Sequence, residues 1–570
     1  MPHVRARILL VLFMVLGGIV LYSLVDRTIA RRDKFLSSRY TNRSFTELME
    51  RLIEESVFKI EDGKIILDEK ALTESHLDGK AETRVKESLP FLYVKAGKIN
   101  FDRMAISVAS HTFNKEESAL RGRFLDRNGV VLAESTVSPN EKLSKQKRQY
   151  TYGPEFYAVI GHCNFIYGKR NLEKEMDEYL SGKNHSPISR KTSDLVNTVE
   201  VGDDITLTID SRIQRLAYQL MKGKRGAVVV LDVKTGEILG AVSTPSFDPN
   251  VKEWDKWRET FKDNNGKPYE NRAFSVCYPP GSTFKTIVAS AWIEEDSIEK
   301  DYEITCTGKR NKYNISDIHP HGKVGFNKAF AYSCNQFFGD IGVMLGQKIF
   351  DYANRFGFNR DLNLIPQMKN HQFRVERSLA FSWRDYENGS RATKAYRSVD
   401  FRRNPKIVAQ GAIGQNLIEA TPLQMSLVAL TIANKGMLLN PYLVKEIKTG
   451  DGKKTLFSSK PLELGGAIKE STAERLRKLM VEVMEKGTGR GVKKVYFPTS
   501  IAGKTGTAEV GDKNGNGTID PEEKPHSWFI GFAPADNPKV AIAVIAENQG
   551  FGSLTAAPIA MEVLSEALNR

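Results

Sequence analysis

Apolar residues along this chain fall into runs and alternations that predict a membrane segment, strands and helices. Residues 8–25 form one apolar run of 18 residues with arginines before and after it, which predicts a single membrane span. A cleaved signal peptide is the main alternative, but the run is longer than a typical signal core and no small-x-small cleavage site follows it. We therefore expect an N-terminal membrane anchor.

Beyond the anchor, the spacing of apolar positions changes from segment to segment. Residues 44–56 begin with a capping box and carry apolar residues at helical spacing, whereas residues 58–67 alternate like a β-hairpin. Apolar runs predict strands at residues 227–242, 503–510, 528–533 and 540–547, and helices at residues 282–294, 424–434 and 472–486. These elements predict an α+β fold in which helices pack on an antiparallel sheet.

The first candidate for chemistry is Ser282, which follows Pro279-Pro280-Gly281 and opens an apolar helix. Residues three apart share a helix face, so we expect the Lys285 amine to reach the Ser282 hydroxyl. A serine becomes a good nucleophile when a base takes its proton, and a lysine is such a base only where burial keeps it partly neutral. The same SxxK spacing occurs without this context at three other serines: Ser56, Ser144 and Ser297.

Two further motifs follow Ser282 along the chain. They are Ser333-Cys334-Asn335 and Lys504-Thr505-Gly506-Thr507. The triplet KTG also occurs at residues 234–236 and 448–450, but both copies are typical of turns between strands. Only the copy at Lys504 lies in a strand pattern with small residues on both sides, which leaves room for a substrate backbone.

SxxK, SxN and KTG in this order resemble the active-site serine penicillin-recognising enzymes. Residues 121–133 are similar to the pedestal signature of class B penicillin-binding proteins, and the resemblance covers roughly residues 121–570. It implies a cytoplasmic tail and transmembrane anchor (1–35), a membrane-proximal region of unknown role (36–120), a pedestal or dimerisation-like domain (121–200) and a transpeptidase domain (201–570). The expected fold is α+β, with a sheet sandwiched by helices behind the anchor and pedestal.

The resemblance also implies a role for each motif residue. Ser282 would attack the penultimate D-alanine carbonyl of a stem peptide, and Lys285 would take its proton. Ser333 would relay that proton to the leaving D-alanine, and Asn335 would bind the peptide amide. Lys504 would support Ser333, and the remaining residues of the motif would bind the substrate or drug carboxylate: Thr505, Gly506 and Thr507.

The implied activity is peptidoglycan D,D-transpeptidation, without a cofactor for catalysis and with covalent inhibition by β-lactams. The implied partners are stem peptides, the lipid-linked precursor and a SEDS-family glycan polymerase, and the implied location is a bacterial cytoplasmic membrane with the catalytic domain outside. Three alternatives share the motifs. They are a D,D-carboxypeptidase, a β-lactamase, for which we identify no group that activates water, and a non-enzymatic β-lactam receptor or scaffold.

Charge and cysteine content change this interpretation little. A net charge of +14 suits an anionic membrane or wall, or only solubility, and no nucleic-acid module is present. Four cysteines are too few and scattered for a disulfide framework. Cys306, His319, His321 and Cys334 could be drawn as a zinc set, but their spacing follows no zinc pattern, so we expect core cysteines and a His-Gly turn.

A twelve-residue window after the KTG motif fits the calcium-loop pattern. Its predicted oxygen ligands are Asp512, Asn514, Asn516, Thr518, Asp520 and Glu523. Strand patterns flank the window where helices usually do, and a plain hairpin loop would use the same residues. Calcium binding and a simple loop therefore both remain open at this point.

Overall fold

The structure, a computed structural model, describes residues 119–569 with gaps, and parts of residues 49–101. The gaps are residues 139–142, 144–145, 165–167, 186–199, 252–255, 258, 261–262, 264–265, 296–300, 387–393, 493–499 and 512–519. The chain divides into two compact units. One is Met1–Glu116 with Cys163–Lys169, and the other is Glu117–His162 with Arg170–Arg570.

The described part of the first unit contains three antiparallel strand pairs, the short helix Glu69–Glu74 and helical residues at 51–54. The pairs are Phe58–Glu61 with Lys64–Leu67, Leu92–Lys95 with Lys98–Phe101, and Cys163–Asn164 with Gly168–Lys169. The first pair confirms the predicted hairpin, with Phe58 opposite Leu67. Helical residues at 51–54 agree with the predicted amphipathic helix.

A five-stranded antiparallel sheet forms the centre of the second unit. Its strands lie in the order Ile238–Thr244, Gly226–Asp232, Val540–Ala546, His526–Ala533 and Ala502–Ala508. Both predicted features of this region are confirmed: the sheet is antiparallel, and the triplet at residues 234–236 is the turn between its first two strands. The strand Ala502–Ala508, called the KTG strand below, lies at the edge of the sheet.

Helices cover both faces of this sheet because its strands are apolar on both sides. Val229 and Ile545 belong to one core cluster, which includes the wholly buried helix Pro422–Ala433. Their neighbours Val228 and Val544 belong to the other, which includes one side of the helices Ser211–Met221 and Ala556–Leu568. Alternate residues of a strand point to opposite faces, so each strand contributes to both clusters. The expected α+β sandwich is confirmed.

The other described helices of this unit surround the sandwich. They are Tyr157–Ile160, Leu172–Glu175, Asp177–Leu180, Lys285–Glu294, Phe326–Ala331, Asn335–Leu345, Gln347–Arg355, Pro405–Ala412 and Glu470–Glu485, with 3₁₀ turns at Gly153–Phe156, Gly281–Phe284 and Pro521–Glu523. Short strand pairs join Glu303–Cys306 to Gly322–Gly325, Leu379–Ala380 to Ile418–Glu419, Ser382–Tyr386 to Lys394–Ser398, and Met437–Leu439 to Glu463–Gly466.

A second sheet of six strands joins the predicted pedestal sequence to later parts of the chain. Its order is Thr455–Ser458, Val444–Lys448, Asp204–Leu207, Phe124–Leu125, Val131–Thr136 and Lys147–Tyr150. Beside it, Arg121 and Arg148 both donate to the Glu173 carboxylate, at 2.8 and 2.7 Å, and Arg121 also reaches Asp177. We call these four residues the pedestal ion cluster.

The predicted membrane anchor at residues 8–25 lies outside the described residues. Among the residues that the structure does describe, none of the helices has both the length and the apolar character needed to cross a membrane. The anchor therefore stays a prediction from the sequence.

Candidate active site

Ser282 lies in the 3₁₀ turn Gly281–Phe284, which leads directly into the helix Lys285–Glu294. The helix is buried almost throughout, while Ser282 is partly exposed. Trp528, from the strand next to the KTG strand, donates its indole N–H to the Pro279 carbonyl at 3.0 Å. A fully buried tryptophan thus fixes the chain segment that leads to Ser282.

Glycines let three segments come together at this turn. Gly281 has φ +54°, and a Cβ there would lie 2.8 Å from the Thr507 carbonyl oxygen. A Cβ on Gly414 would lie 2.0 Å from the Gly281 carbonyl oxygen, and the Gly281 N–H donates to the Gly414 carbonyl at 3.0 Å. Larger residues at these positions would push the Ser282 turn away from the KTG strand.

Ser333 and Asn335 lie where the helix Phe326–Ala331 gives way to the helix Asn335–Leu345. Ser333 adopts a left-handed conformation, with φ +61°. The Asp317 carboxylate accepts the backbone N–H groups of Asn335 at 2.6 Å and Gln336 at 3.1 Å. First-turn N–H groups lack helical partners, so Asp317 fixes the start of this helix. The sequence motifs gave no indication of this residue.

The Lys285 amine lies against the SxN motif. It donates to the Ser333 carbonyl at 2.6 Å, to Asn335 Oδ1 at 2.7 Å and to Ser333 Oγ at 3.3 Å. The prediction that Lys285 belongs to the catalytic group agrees with this geometry, but its three donated hydrogen bonds go to the SxN motif rather than to Ser282. Helical spacing placed Lys285 on the right face and could not show what packs against that face.

Lys504 completes the contact between the motifs. Its amine donates to Ser333 Oγ at 2.9 Å and to the Thr505 carbonyl at 3.1 Å. Ser333 Oγ thus accepts from two lysines, which occupies both of its lone pairs and leaves its own hydrogen to donate elsewhere. The structure brings Lys285, Ser333, Asn335 and Lys504 together, and their catalytic roles stay a prediction.

Lys285 and Lys504 are both buried without a paired carboxylate among the described residues, and the pKa of each amine is lowered. Burial lowers the pKa of Lys285 to about 8, although the Asp317 carboxylate acts to raise it. Burial, followed by the charge of Lys285, holds the pKa of Lys504 well below its usual range. Aromatic rings lie near both amines, Phe338 at 5.4 Å from Lys285 Nζ and Phe330 at 5.9 Å from Lys504 Nζ. A proton on either amine is thus easier to remove than in water.

The KTG strand carries the predicted binding residues at the edge of the five-stranded sheet. Thr505 is 6% exposed and Thr507 is half-buried. A Cβ on Gly506 would lie 2.9 Å from Thr283 Cγ2, so glycine lets this strand lie against the Ser282 turn. Thr505 Oγ1 also lies 2.5 Å from Thr488 Oγ1, a contact that the three motifs did not indicate.

Four metal-ligating side chains lie together at the SxN motif: Cys306, Asp317, His321 and Cys334. Their ligand atoms are all within 4.8 Å of one another, and two thiols, an imidazole and a carboxylate are typical zinc donors. These residues could therefore hold a metal ion. Cys306 and Cys334 are buried, as expected of core cysteines, and the group contains Asp317 where the spacing had offered His319. Metal binding here stays untested.

The predicted calcium loop falls mainly outside the described residues, because residues 512–519 are not described. Its last two predicted ligands are described. Asp520 and Glu523 form a reciprocal capping box at the 3₁₀ turn Pro521–Glu523. Calcium binding by Asp512, Asn514, Asn516, Thr518, Asp520 and Glu523 stays a prediction.

The chain matches two family models. The penicillin-binding protein transpeptidase domain matches residues 226–565, and the penicillin-binding protein A dimerisation domain matches residues 121–204. The chain belongs to the class B penicillin-binding proteins. Both matched ranges carry the features described above, since the first contains the three motifs and the second contains the pedestal ion cluster.

Two relatives of this penicillin-binding protein are both named peptidoglycan D,D-transpeptidase. The peptidoglycan D,D-transpeptidase PbpA of Mycolicibacterium smegmatis is 31% identical over 485 residues, which cover 80% of this chain and 90% of that protein. The peptidoglycan D,D-transpeptidase MrdA of Acinetobacter baumannii is 27% identical over 526 residues, which cover 83% and 74%.

Solved structures agree with this assignment. Penicillin-binding protein A from M. tuberculosis, as a ceftriaxone acyl-enzyme complex, has a TM-score of 0.68 and 28% identity, and the match covers 80% of this chain and 99% of that one. The imipenem acyl-enzyme of the same protein gives a TM-score of 0.66 with the same identity and covers 80% and 100%.

Proposed function

We propose that this penicillin-binding protein cross-links peptidoglycan as a D,D-transpeptidase, with Ser282 as the nucleophile. The observation that carries this proposal is the joint donation of Lys285 and Lys504 to the Ser333 hydroxyl, next to the Ser282 turn. Two buried amines with lowered pKa values on one hydroxyl form a proton-transfer group suited to acyl transfer.

Acylation begins when Ser282 Oγ attacks the penultimate D-alanine carbonyl of a stem peptide. The hydroxyl proton moves to neutral Lys285, and the new C–O bond gives a tetrahedral oxyanion. The backbone N–H groups of Ser282 and Thr507 stabilise that oxyanion, and in other acyl-transfer enzymes one such donor contributes roughly 3–4 kcal/mol.

Collapse of the oxyanion breaks the C–N bond to the terminal D-alanine. Ser333 passes its hydroxyl proton to the leaving nitrogen and receives in return the proton that Lys285 took from Ser282, since the Lys285 amine donates to Ser333 Oγ. Asn335 binds the peptide amide, and Thr505 and Thr507 bind the terminal carboxylate beside Gly506. The amine of a second stem peptide then attacks the acyl-enzyme, which forms the cross-link and frees Ser282.

Covalent labelling tests this proposal. A fluorescent penicillin should label the purified chain, and Ser282→Ala should abolish labelling with little change in melting temperature. Ser297→Ala is a matched control from another SxxK sequence and should label normally. An adduct mapped to Ser56, Ser144 or Ser297 would contradict the assignment of the nucleophile.

The fate of the acyl-enzyme separates the alternatives that share these motifs. Intact-mass measurement should retain the penicillin adduct for hours, whereas turnover within seconds would indicate a β-lactamase. Release of D-alanine from a stem peptide without an amine acceptor would indicate a D,D-carboxypeptidase. Labelling without any turnover of stem peptides would indicate a β-lactam receptor or scaffold.

The proposed location is the bacterial cytoplasmic membrane, with residues 8–25 as the single span and the catalytic domain outside. The apolar run in the sequence supports it. A SEDS-family glycan polymerase is the proposed partner, since class B penicillin-binding proteins usually accompany such a polymerase. Co-purification from detergent-solubilised membranes tests both statements.

The proposed catalysis requires no metal. We also propose two metal sites whose ions would stabilise local structure and take no part in the reaction. Zinc on Cys306, Asp317, His321 and Cys334 would stiffen the start of the SxN helix, because Asp317 also holds two of its N–H groups. Calcium on the loop at residues 512–523 would order the segment after the KTG strand. Metal analysis of the purified chain, with Cys306→Ser and Asp512→Ala/Glu523→Ala as the respective variants, tests each site.

A further inference from the structure

Thr488 lies outside the three motifs but contacts one of them directly. Its Oγ1 is 2.5 Å from Thr505 Oγ1, at the short end of the range for hydrogen bonds between hydroxyls. Thr505 is nearly buried and Thr488 is half-buried. The pair is therefore largely shielded from the surrounding solvent.

The backbone holds Thr488 in this place from the side of the SxN motif. Its N–H donates to the Ala331 carbonyl at 3.1 Å, two residues before Ser333. A Cβ on the preceding Gly487 would lie 2.1 Å from that same carbonyl oxygen, so only glycine allows the close approach. Gly489 is tied back to Val483 at the end of the helix Glu470–Glu485. Thr488 thus joins the segment before Ser333 to the KTG strand.

The chemistry of hydroxyl groups gives this contact a direction. A threonine hydroxyl has one hydrogen to donate and two lone pairs that accept. When Thr505 donates to a ligand carboxylate, it has no hydrogen left for Thr488, so Thr488 must donate to Thr505. Such a chain of hydrogen bonds polarises the terminal donor and strengthens its bond to an anion.

We propose that Thr488 is a positioning residue for carboxylate recognition, which orients the Thr505 hydroxyl toward the anionic end of the substrate or drug. The proposal rests on the proposed function, in which Thr505 binds that carboxylate. It deepens that function, since it assigns part of the carboxylate specificity to a residue that touches no substrate.

The test compares two variants of Thr488 with two ligands. Thr488→Val keeps the shape and removes the hydroxyl, whereas Thr488→Ser keeps the hydroxyl. With benzylpenicillin, which carries a free carboxylate, the second-order acylation rate constant should fall about 10-fold or more in Thr488→Val, as expected for a hydrogen bond that supports a charged group. Thr488→Ser should stay within about three-fold of wild type.

Benzylpenicillin methyl ester, which lacks the anionic charge, is the control ligand. It should acylate wild type and Thr488→Val at nearly the same rate, although more slowly than the free acid. In a Thr505→Val background, adding Thr488→Val should change the benzylpenicillin rate by less than about two-fold, because coupled residues are not additive.

The outcomes are distinguishable. An equal loss with acid and ester would show a purely structural role for Thr488 and overturn the inference, as would an unchanged rate with the acid. A wild-type chain that neither ligand acylates would instead overturn the proposed function. If Thr488→Val does not fold, Thr488→Ala takes its place in the same comparison, and melting curves of each variant establish that the folded protein is being measured.

Discussion

The pedestal ion cluster and the active site both bury basic side chains, but they stabilise them differently. Arg121 and Arg148 are buried against the Glu173 carboxylate, and Arg121 also contacts Asp177. Lys285 and Lys504 are just as buried, yet in the described part of the chain neither amine forms an ion pair. Hydroxyl, amide and carbonyl oxygens and nearby aromatic rings are their partners.

The difference appears in the titration of the two regions. Burial alone would raise the pKa of Glu173, but the two guanidinium groups hold it at about 2, so this carboxylate keeps its charge at any ordinary pH. Burial lowers the pKa of Lys285 to about 8, so this amine exchanges its proton near physiological pH. A buried cation with a carboxylate stabilises the fold, whereas one without a carboxylate can do acid–base chemistry.

Removal of the Lys285 amine should give the largest effect on chemistry. Lys285→Met is expected to lower the penicillin acylation rate by about 10³–10⁴-fold, since it removes the general base. The melting temperature should not fall, because the variant replaces a buried amine that has no ion pair. Stopped-flow acylation and thermal melts measure the two quantities, and a large loss of stability would show that Lys285 resembles the pedestal arginines.

Loss of the Glu173 charge should affect stability instead. Glu173→Gln is expected to lower the free energy of unfolding by roughly 3–5 kcal/mol, since it leaves two buried guanidinium groups without their shared carboxylate. The acylation rate per folded molecule should stay within about two-fold of wild type. Chemical denaturation gives the first quantity. The control is Glu178→Gln, since Glu178 is exposed and its carboxylate contacts no guanidinium group among the described residues.

The lowered pKa of Glu173 predicts how the stability of the protein changes at acid pH. The pKa of Glu173 is lowered from its ordinary 4.5 to about 2, so its contribution to stability is fully present above pH 4.5 and is lost as the pH falls toward 2. In Glu173→Gln this contribution should be absent. The difference in unfolding free energy between wild type and variant should therefore shrink between pH 4.5 and pH 2, and a constant difference would contradict the assignment.

Lys504 should show the smallest of these effects. Lys504→Met is expected to slow acylation by about 10–100-fold, because it removes one charged hydrogen bond to Ser333 and leaves Ser282 and Lys285 in place. Labelling with a fluorescent penicillin should be slower but should still reach completion at long times. Complete loss of labelling would place Lys504, and not Lys285, in the role of the base.

Much of this molecule follows from local sequence. The hairpin at residues 227–242 and the edge strand around Lys504 were predicted because apolar alternation and small residues mark them directly. The motif residues Ser282, Ser333 and Lys504 were found because their types and order have a specific chemical meaning. The hydrogen bond from Lys504 to Ser333 Oγ agrees with that prediction.

Contacts between distant segments could not be predicted in this way. Helical spacing suggested Ser282 as the partner of Lys285, and only the packing of two helices shows that the amine contacts Ser333 and Asn335. Asp317 and Thr488 lie in ordinary loop sequence, and their roles depend on residues far along the chain. The glycines around Thr488, in the triplet Gly487-Thr488-Gly489, were the available signal for a close approach.

The pH dependence of acylation tests the central claim most directly, which is that burial without a carboxylate keeps Lys285 ready to accept a proton. The second-order rate constant for benzylpenicillin should rise with pH as Lys285 loses its proton, with a midpoint near pH 8, as its lowered pKa implies. Melting curves across the same range would show that the protein stays folded. A rate that is flat from about pH 6 to pH 10, or one that rises only near the ordinary lysine pKa of about 10.4, would contradict the claim.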